Sequence, residues 1–156
     1  MTNTEKKEIL LEYRNAVRAV REAEDEYRQL QLSVMLPRSP TYDGMVSSGG
    51  GPSDQSSFMA MLQQIEDSEI LPKQRRLIEL RQKVAKAIEA LPTHQERLIM
   101  RMRYMRFAQT ELERKHNLPG TRLLTWDEIA ARCNYSRQGA TKIHGIALAH
   151  LVIAKE

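Results

Sequence analysis

Residues 125–151, T-W-D-E-I-A-A-R-C-N-Y-S-R-Q-G-A-T-K-I-H-G-I-A-L-A-H-L, contain the pattern of two short capped helices joined by a tight turn. The second helix is predicted to run from Ser136 to about Leu151, because the Ser136 hydroxyl can accept a hydrogen bond from a backbone N–H of the first turn. Apolar residues recur there at three- and four-residue spacing, so one face of the helix packs inward. This inner face comprises Ala140, Ile143, Ala147, Leu148 and Leu151.

The opposite face of the second helix opens with Arg137, Gln138, Thr141 and Lys142. None of these side chains is acidic and each can donate hydrogen bonds, which suits a helix that enters the major groove of DNA. A surface helix with a solvated polar face fits the same pattern. The helix taken alone therefore leaves both interpretations open.

The preceding helix is predicted over residues 125–133, where Thr125 and Glu128 have the spacing of a capping box. Its first turn also carries Asp127, and the helix dipole favours negative charge there. Asn134 and Tyr135 then form a tight turn into the second helix. Two capped helices with such a turn are typical of a helix-turn-helix unit, in which the first helix braces the second across the DNA backbone.

These residues resemble region 4 of sigma-70-type transcription factors. They are more similar still to the sigma-region-4-like regulators of phages and prophages (RinA/ArpU-type) of Gram-positive bacteria, within the winged helix-like DNA-binding superfamily. The matching motifs are residues 125–130 (T-W-D-E-I-A), 135–137 (Y-S-R) and 144–148 (H-G-I-A-L), with 91–92 (L-P) and 103–104 (R-Y) upstream. The resemblance implies a DNA-binding domain over residues 92–156, interrupted by an insertion at 107–124.

The sequence departs from this family pattern at two further positions. Gly139 stands where region 4 often carries a basic side chain, and Ile146 replaces the arginine of H-G-R-A-L. Both changes affect the DNA contacts that the resemblance implies, and neither contradicts the fold.

The candidate DNA-binding residues follow from the helix-turn-helix interpretation. Arginine and lysine suit guanine and glutamine suits adenine, so Arg137, Gln138, Thr141 and Lys142 are predicted to meet base edges or adjacent phosphates. Arg132 and Arg122 are predicted to position the DNA backbone, and His144 is either a phosphate contact or a hydrogen-bonded structural residue. The capping residues Ser136 and Thr125 complete the candidate set.

Charge is distributed unevenly along the chain. Residues 1–92 carry 13 Lys and Arg against 14 Asp and Glu, whereas residues 93–156 carry 11 against 6 and all four histidines. The net charge is therefore −1 in the first part and +5 in the second. A basic C-terminal part joined to a nearly neutral part is typical of a nucleic-acid module carried by an interaction module.

The part before residue 92 is predicted to be helical on both sides of a linker. Residues 1–35 contain one long helix with a narrow apolar stripe, which needs a partner helix in this chain or another. Residues 36–57 are rich in Pro, Gly and Ser and are predicted to be a flexible linker. Residues 58–91 carry a second apolar stripe, kinked near Pro72. The two stripes suit an antiparallel hairpin or a dimer-forming coil.

The remaining helices of the C-terminal part follow from capping signals. Thr93 and Glu96 have the spacing of a second capping box. Arg97, Arg101, Arg103 and Arg106 are expected on the surface of this helix, either at phosphates or in solvent. In the insertion, residues 107–116 look helical and could extend the preceding helix, and residues 117–120 form a turn.

Several chemistries are not indicated by the sequence. Gly49, Gly50 and Gly51 lack the G-K-[ST] ending of a phosphate loop, and His144 and His150 do not share a helix face. The protein is predicted not to be an enzyme and to need no cofactor or metal. A single cysteine, no signal peptide and no apolar run of bilayer length predict a cytoplasmic protein without a membrane partner, and the resemblance to phage regulators implies that the cell is bacterial.

The sequence thus predicts an all-α protein with an N-terminal helical hairpin or coiled coil and a C-terminal helix-turn-helix domain. The expected function is sequence-specific binding of double-stranded DNA in transcription regulation of phage or prophage genes. Homodimerisation through the N-terminal helices and contact with RNA polymerase are possible partnerships. Two alternatives stay open at this point: a phage DNA-packaging protein of the small-terminase type, and an RNA polymerase-binding adaptor with little DNA contact.

Overall fold

The computed structural model describes residues 1–35 and 52–154. These residues are mostly helical and contain one small two-stranded sheet, which agrees with the expected all-α class. The helices are α1 (Asn3–Met35), α2 (Pro52–Ile65), α3 (Leu71–Glu89), α4 (His94–Tyr104), α5 (Glu111–Lys115), α6 (Trp126–Cys133) and α7 (Arg137–His150). A π-helical turn, Glu66–Ile70, joins α2 to α3, and strands β1 (Phe107–Ala108) and β2 (Arg122–Leu123) pair antiparallel.

The chain divides into two compact units. The first comprises residues 1–18 and 76–156, and the second comprises residues 19–75. The first half of α1 and most of α3 thus belong to the unit that also contains α4, α6 and α7. This first unit holds the predicted site and has two hydrophobic clusters.

The larger cluster of the first unit joins four helices and the C-terminal segment. Leu10 and Tyr13 of α1 lie in it, and side chains of α3, α4 and α7 complete it. Its other buried members are Leu80, Val84, Ala87, Ile88, Leu91, Met100, Tyr104, Ala147, Leu148, Leu151 and Ile153. The inner face of α7 is therefore part of the core over its second half, as the spacing of its apolar residues predicts.

The smaller cluster packs α6 against the first half of α7. Ile99 of α4, Leu124, and Ile129 of α6 are fully buried in it, together with Ala140 of α7. Burial of side chains of this size is worth about 1.5–3 kcal/mol each, relative to exposure. Because side chains of both α6 and α7 pack in this cluster, the packing stabilises the turn between the two helices.

Buried apolar residues also occur in the described part of the second unit. Val20 and Ala23 of α1, Leu62 of α2 and Ile70 of the π-helical turn are its buried apolar residues. A π-helical turn, Glu66–Ile70, ends directly before α3, close to the position at which a kink is predicted from Pro72. Pro72 is the second residue of α3 and supplies no backbone N–H to the helix.

The predicted boundary of the linker is wrong at one end. Helix α2 begins at Pro52, so residues 52–57 are helical rather than part of a flexible segment. Proline suits the first position of a helix because its fixed φ is helical and its missing N–H would have no partner there. The remainder of the predicted linker lies outside the described residues.

The prediction that residues 107–116 could extend α4 is also wrong. Helix α4 ends at Tyr104, and the chain forms β1, the separate short helix α5 and β2 before it reaches α6. Thr110 caps α5 in a complete capping box with Glu113, which starts a new helix. The turn predicted at residues 117–120 lies instead at residues 116–117, where Asn117 is in the left-handed region at φ 53°.

The capping box predicted at the start of α4 is only half formed. The Thr93 hydroxyl accepts a hydrogen bond from the backbone N–H of Glu96, as predicted. The buried Glu96 carboxylate, however, accepts hydrogen bonds from the Thr93 hydroxyl at 2.9 Å and from Nδ1 of His150 at 3.0 Å. A side chain at the far end of α7 thus binds the carboxylate, which the local pattern could not indicate.

Candidate nucleic-acid interface

Helix α7 begins as its sequence predicts. The Ser136 hydroxyl accepts a hydrogen bond from the backbone N–H of Gly139 at 3.0 Å. The preceding turn depends on Asn134, which caps α6 in the left-handed region at φ 56°. Asparagine tolerates this conformation better than other residues with a Cβ, so the turn reverses the chain within two residues.

The first two turns of α7 present three polar side chains to solvent. Arg137, Gln138 and Lys142 are all exposed. The Arg137 guanidinium lies 3.7 Å from the Asp127 carboxylate, and both side chains are mostly exposed. An ion pair in solvent contributes little energy, so Arg137 can leave Asp127 for another partner at small cost. We call Arg137, Gln138 and Lys142 the outer face of α7.

Thr141 and Ser136 are less available than these three. The half-buried Thr141 hydroxyl lies 3.0 Å from the carbonyl oxygens of both Arg137 and Gln138 and donates within the helix. The Ser136 hydroxyl is occupied as the helix cap. The Thr141 proton is thus used within the helix, whereas the Ser136 hydroxyl only accepts as the cap and keeps its own O–H for a further acceptor.

His144 lies in the core and is not placed to contact a phosphate. Its side chain is 8% exposed, and Nε2 lies 2.9 Å from the Tyr104 hydroxyl. Burial, together with the positive charges of Lys7 and Arg103, lowers the pKa of His144 to about 4. The imidazole is therefore neutral at physiological pH, and of the two roles expected from the sequence the structure leaves only the hydrogen-bonded structural one.

An aromatic cluster beneath α7 was not anticipated from the sequence. The rings of Trp126 and His144 lie 4.9 Å apart, and the Arg103 guanidinium stacks over Trp126 at 4.8 Å. Arg103 also donates a hydrogen bond to the carbonyl oxygen of Leu124. These contacts connect the end of α4, through Arg103, to Trp126 at the start of α6. Trp126 in turn contacts His144 of α7. Because Arg103 and Trp126 lie far apart in the sequence, no local spacing of residues predicts their contact.

Arg132 and Arg122, which were predicted to position the DNA backbone, differ from each other in exposure and in bonding partners. Arg132 is exposed near the end of α6. Arg122 instead forms a two-pronged hydrogen bond with Glu128, at 2.8 and 3.2 Å. This bond and the Thr125 backbone N–H hold the pKa of the Glu128 carboxyl at about 2. Arg122 thus stabilises the start of α6, and the Thr125 hydroxyl caps that helix by accepting from the Glu128 N–H at 3.3 Å.

The two positions that depart from the family pattern are explained in part. A Cβ at Gly139 would lie 3.1 Å from the Ser136 hydroxyl oxygen, so a side chain there would crowd the helix cap. Ile146 is 42% exposed on the outer side of α7. It leaves an apolar side chain where the resemblance implies an arginine.

Of the four arginines predicted on this helix, three lie in α4 and are engaged within the protein, and Arg106 lies beyond its end. Arg97 donates to the carbonyl oxygen of Leu91 at 2.6 Å, and Arg101 forms an ion pair with Glu89. Arg103 stacks on Trp126 as described above. Arg106 is the exposed member of the set.

Comparison with known families, curated proteins and solved structures finds no match for this chain. The resemblance to phage regulators therefore remains a prediction from the sequence motifs.

Other kinds of site find little support in the described residues. Within residues 1–35 and 52–154, His, Cys, Asp and Glu side chains do not gather in threes as a metal ion would need. None of the helices described there is both long enough and apolar enough to cross a membrane. Burial raises the pKa of the Cys133 thiol, which disfavours its reactive thiolate form.

Proposed function

We propose that this protein binds double-stranded DNA in a sequence-specific manner and regulates transcription. The observation that carries the proposal is that α7 has one buried apolar face and one exposed polar face. Its inner residues Ala140, Ala147 and Leu148 are buried in the core, while its outer face projects into solvent. In this proposal α6, the turn at Asn134 and α7 form a helix-turn-helix unit, with α7 as the recognition helix.

The chemistry of the outer face suits base edges in the major groove. Arginine or lysine can bind O6 and N7 of guanine, and glutamine can bind N6 and N7 of adenine. These residues lie in the first two turns of α7, and recognition helices contact bases with their N-terminal residues. The absence of a carboxylate from α7 avoids repulsion by phosphates.

The charges around α7 also suit a duplex whose major groove is entered by the start of α7. The exposed Arg132 lies near the end of α6, and phosphate contacts from neighbouring elements position a recognition helix. The +5 charge of residues 93–156 would attract a duplex at low ionic strength. Arg122 supports this surface indirectly, since its bond to Glu128 secures the first turn of α6.

We further propose that α4, α6 and α7 correspond to a sigma-region-4-like domain of the phage and prophage type. The protein would then act on DNA in the bacterial cytoplasm. Its N-terminal helices would serve dimerisation or contact with RNA polymerase. This part of the proposal rests on the sequence motifs alone.

The test begins with selection of a preferred duplex from a random pool, followed by fluorescence anisotropy on that duplex. Arg137→Ala is expected to weaken binding to the selected site by about 1–3 kcal/mol if its contact is bidentate to guanine. Binding to a scrambled duplex should change much less. Arg75→Ala removes an exposed arginine of α3 and serves as the matched control.

Two outcomes would contradict the proposal. Failure of the selection to enrich any sequence would argue against specific recognition. Equal affinities of the wild type and Arg137→Ala for the selected site would remove α7 as the reading element. Co-purification with RNA polymerase without salt-sensitive DNA binding would favour the adaptor alternative, and a ring larger than a dimer would favour the packaging alternative.

A further inference from the structure

The insertion, residues 107–124, is joined by internal hydrogen bonds and by the pairing of β1 with β2. The buried Glu113 carboxylate accepts hydrogen bonds from the Thr110 backbone N–H at 3.0 Å and from the Thr121 hydroxyl at 3.1 Å. These bonds join the start of α5 to the chain that enters β2. A Cβ at Gly120 would lie 2.5 Å from the Ala108 backbone, so only glycine allows this close approach. The insertion therefore holds its surface residues in defined positions.

The exposed surface of the insertion is basic. Arg114, Lys115 and His116 are exposed in and after the last turn of α5, and Arg106 is exposed just before β1. In the described part of the chain, Arg106, Arg114 and Lys115 form no ion pair, so their charges are available to a partner. Glu111 is the exposed carboxylate on this element, whereas Glu113 is buried and used internally.

The base of the insertion adjoins the start of α6, next to the beginning of α7. Only Leu124 separates β2 from Thr125, the cap of α6, and Arg122 of β2 binds Glu128 in the first turn of that helix. Asp127, the neighbouring carboxylate, pairs with Arg137 at the start of α7. In the first turn of α6, the insertion therefore contacts Glu128, and α7 contacts the adjacent residue Asp127.

This placement matters because the first helix of a helix-turn-helix unit crosses the DNA backbone. An element attached to the start of that helix would therefore lie beside the same backbone in the proposed complex. Exposed arginine and lysine side chains are the usual phosphate contacts at such positions, and they add affinity without reading sequence.

We propose that the insertion is a second contact surface for duplex DNA, on which Arg114 and Lys115 neutralise backbone phosphates beside the site read by α7. This inference rests on the proposed function. The insertion would contribute the part of the binding free energy that is independent of DNA sequence. The outer face of α7 would contribute the part that depends on DNA sequence.

The test compares the salt dependence of binding for the wild type and for Arg114→Gln/Lys115→Gln. Each phosphate contact contributes about 0.9 to the slope of log K against log salt concentration. The double variant is therefore expected to show a slope less steep by about 2, and an affinity lower by about tenfold or more at 0.1 M salt. Because phosphates carry no sequence information, the loss should be equal on the selected and the scrambled duplex.

Two further variants make the comparison specific. Lys73→Gln/Arg75→Gln removes the same charge from exposed positions of α3 and is expected to keep the wild-type slope. Arg114→Lys/Lys115→Arg keeps the charge of α5 and should bind as the wild type does. Circular dichroism would verify that all variants are folded, which their exposed positions favour.

The outcomes separate this inference from the function on which it rests. If the wild type binds no duplex, both are overturned. If the wild type prefers its selected site and Arg137→Ala loses that preference, while the α5 double variant keeps the wild-type slope, only the insertion's role is overturned. A slope reduced equally by the α3 control would also overturn it, since the effect would then reflect net charge alone.

Discussion

His144 is a buried titratable residue of α7, in surroundings unlike a solvated helix surface. It lies against Tyr104 and Trp126, and two cations, Lys7 and Arg103, lower its pKa together with burial. A proton on this imidazole would be buried beside positive charge. The neutral form is therefore the one that the folded protein stabilises.

The protein is predicted to lose stability as the pH falls through the range in which unfolded histidine titrates. Burial and the nearby cations lower the pKa of His144 from its ordinary value of 6.5 to about 4 in the folded protein, so the unfolded chain binds the proton more readily. The stabilisation is complete above pH 6.5 and is lost progressively down to pH 4. Between pH 7 and pH 5 the free energy of unfolding should fall by about 2 kcal/mol from this residue.

Urea unfolding followed by the fluorescence of Trp126, the single tryptophan, would measure this loss. His144→Gln should remove it, since glutamine binds no proton in this range. His116→Gln, at an exposed position, should keep it. Equal losses in the wild type and His144→Gln would refute the assignment.

At the scale of elements, α7 is fixed by contacts at both ends. Its start is capped by Ser136, and its last carbonyl groups accept hydrogen bonds from the buried Lys6 ammonium of α1. The distances from Nζ are 2.7 Å to the Leu148 oxygen and 3.3 Å to the Ala149 oxygen. A positive charge at the C-terminal end of a helix also interacts favourably with the helix dipole.

Lys6→Met is accordingly expected to destabilise the protein. The change removes both hydrogen bonds and leaves buried carbonyl groups without this donor, which costs about 1–3 kcal/mol. Chemical denaturation at pH 7.5 would measure the difference. The neighbouring exposed residue gives the control, because Lys7→Met should change stability by no more than about 0.5 kcal/mol. Equal effects of the two substitutions would contradict the capping role of Lys6.

The helix boundaries near α7 could be predicted because their causes are local. The caps at Thr125 and Ser136 and the turn at Asn134 depend on residues within a few positions of one another. The strands of the insertion could not, because each has only two residues and forms solely by pairing with the other. Glu96 likewise formed only half of its predicted capping box, since its carboxylate also binds His150, 54 residues away.

At the scale of the whole molecule, the contacts that were not predictable join distant parts of the chain. Lys6 lies 142 residues from its acceptor Leu148, and no local pattern indicates such a pair. The charge asymmetry and the outer face of α7 were visible in the sequence. The sequence alone did not reveal the burial of His144 or the engagement of Arg122 with Glu128.

The most direct test of duplex recognition by α7 is to titrate the isotope-labelled protein with its selected duplex and follow backbone amide resonances by NMR. The largest changes are predicted for residues 136–142 and for the first turn of α6, with small changes for α2. Changes concentrated in α1 to α3, with residues 136–142 unaffected, would contradict it.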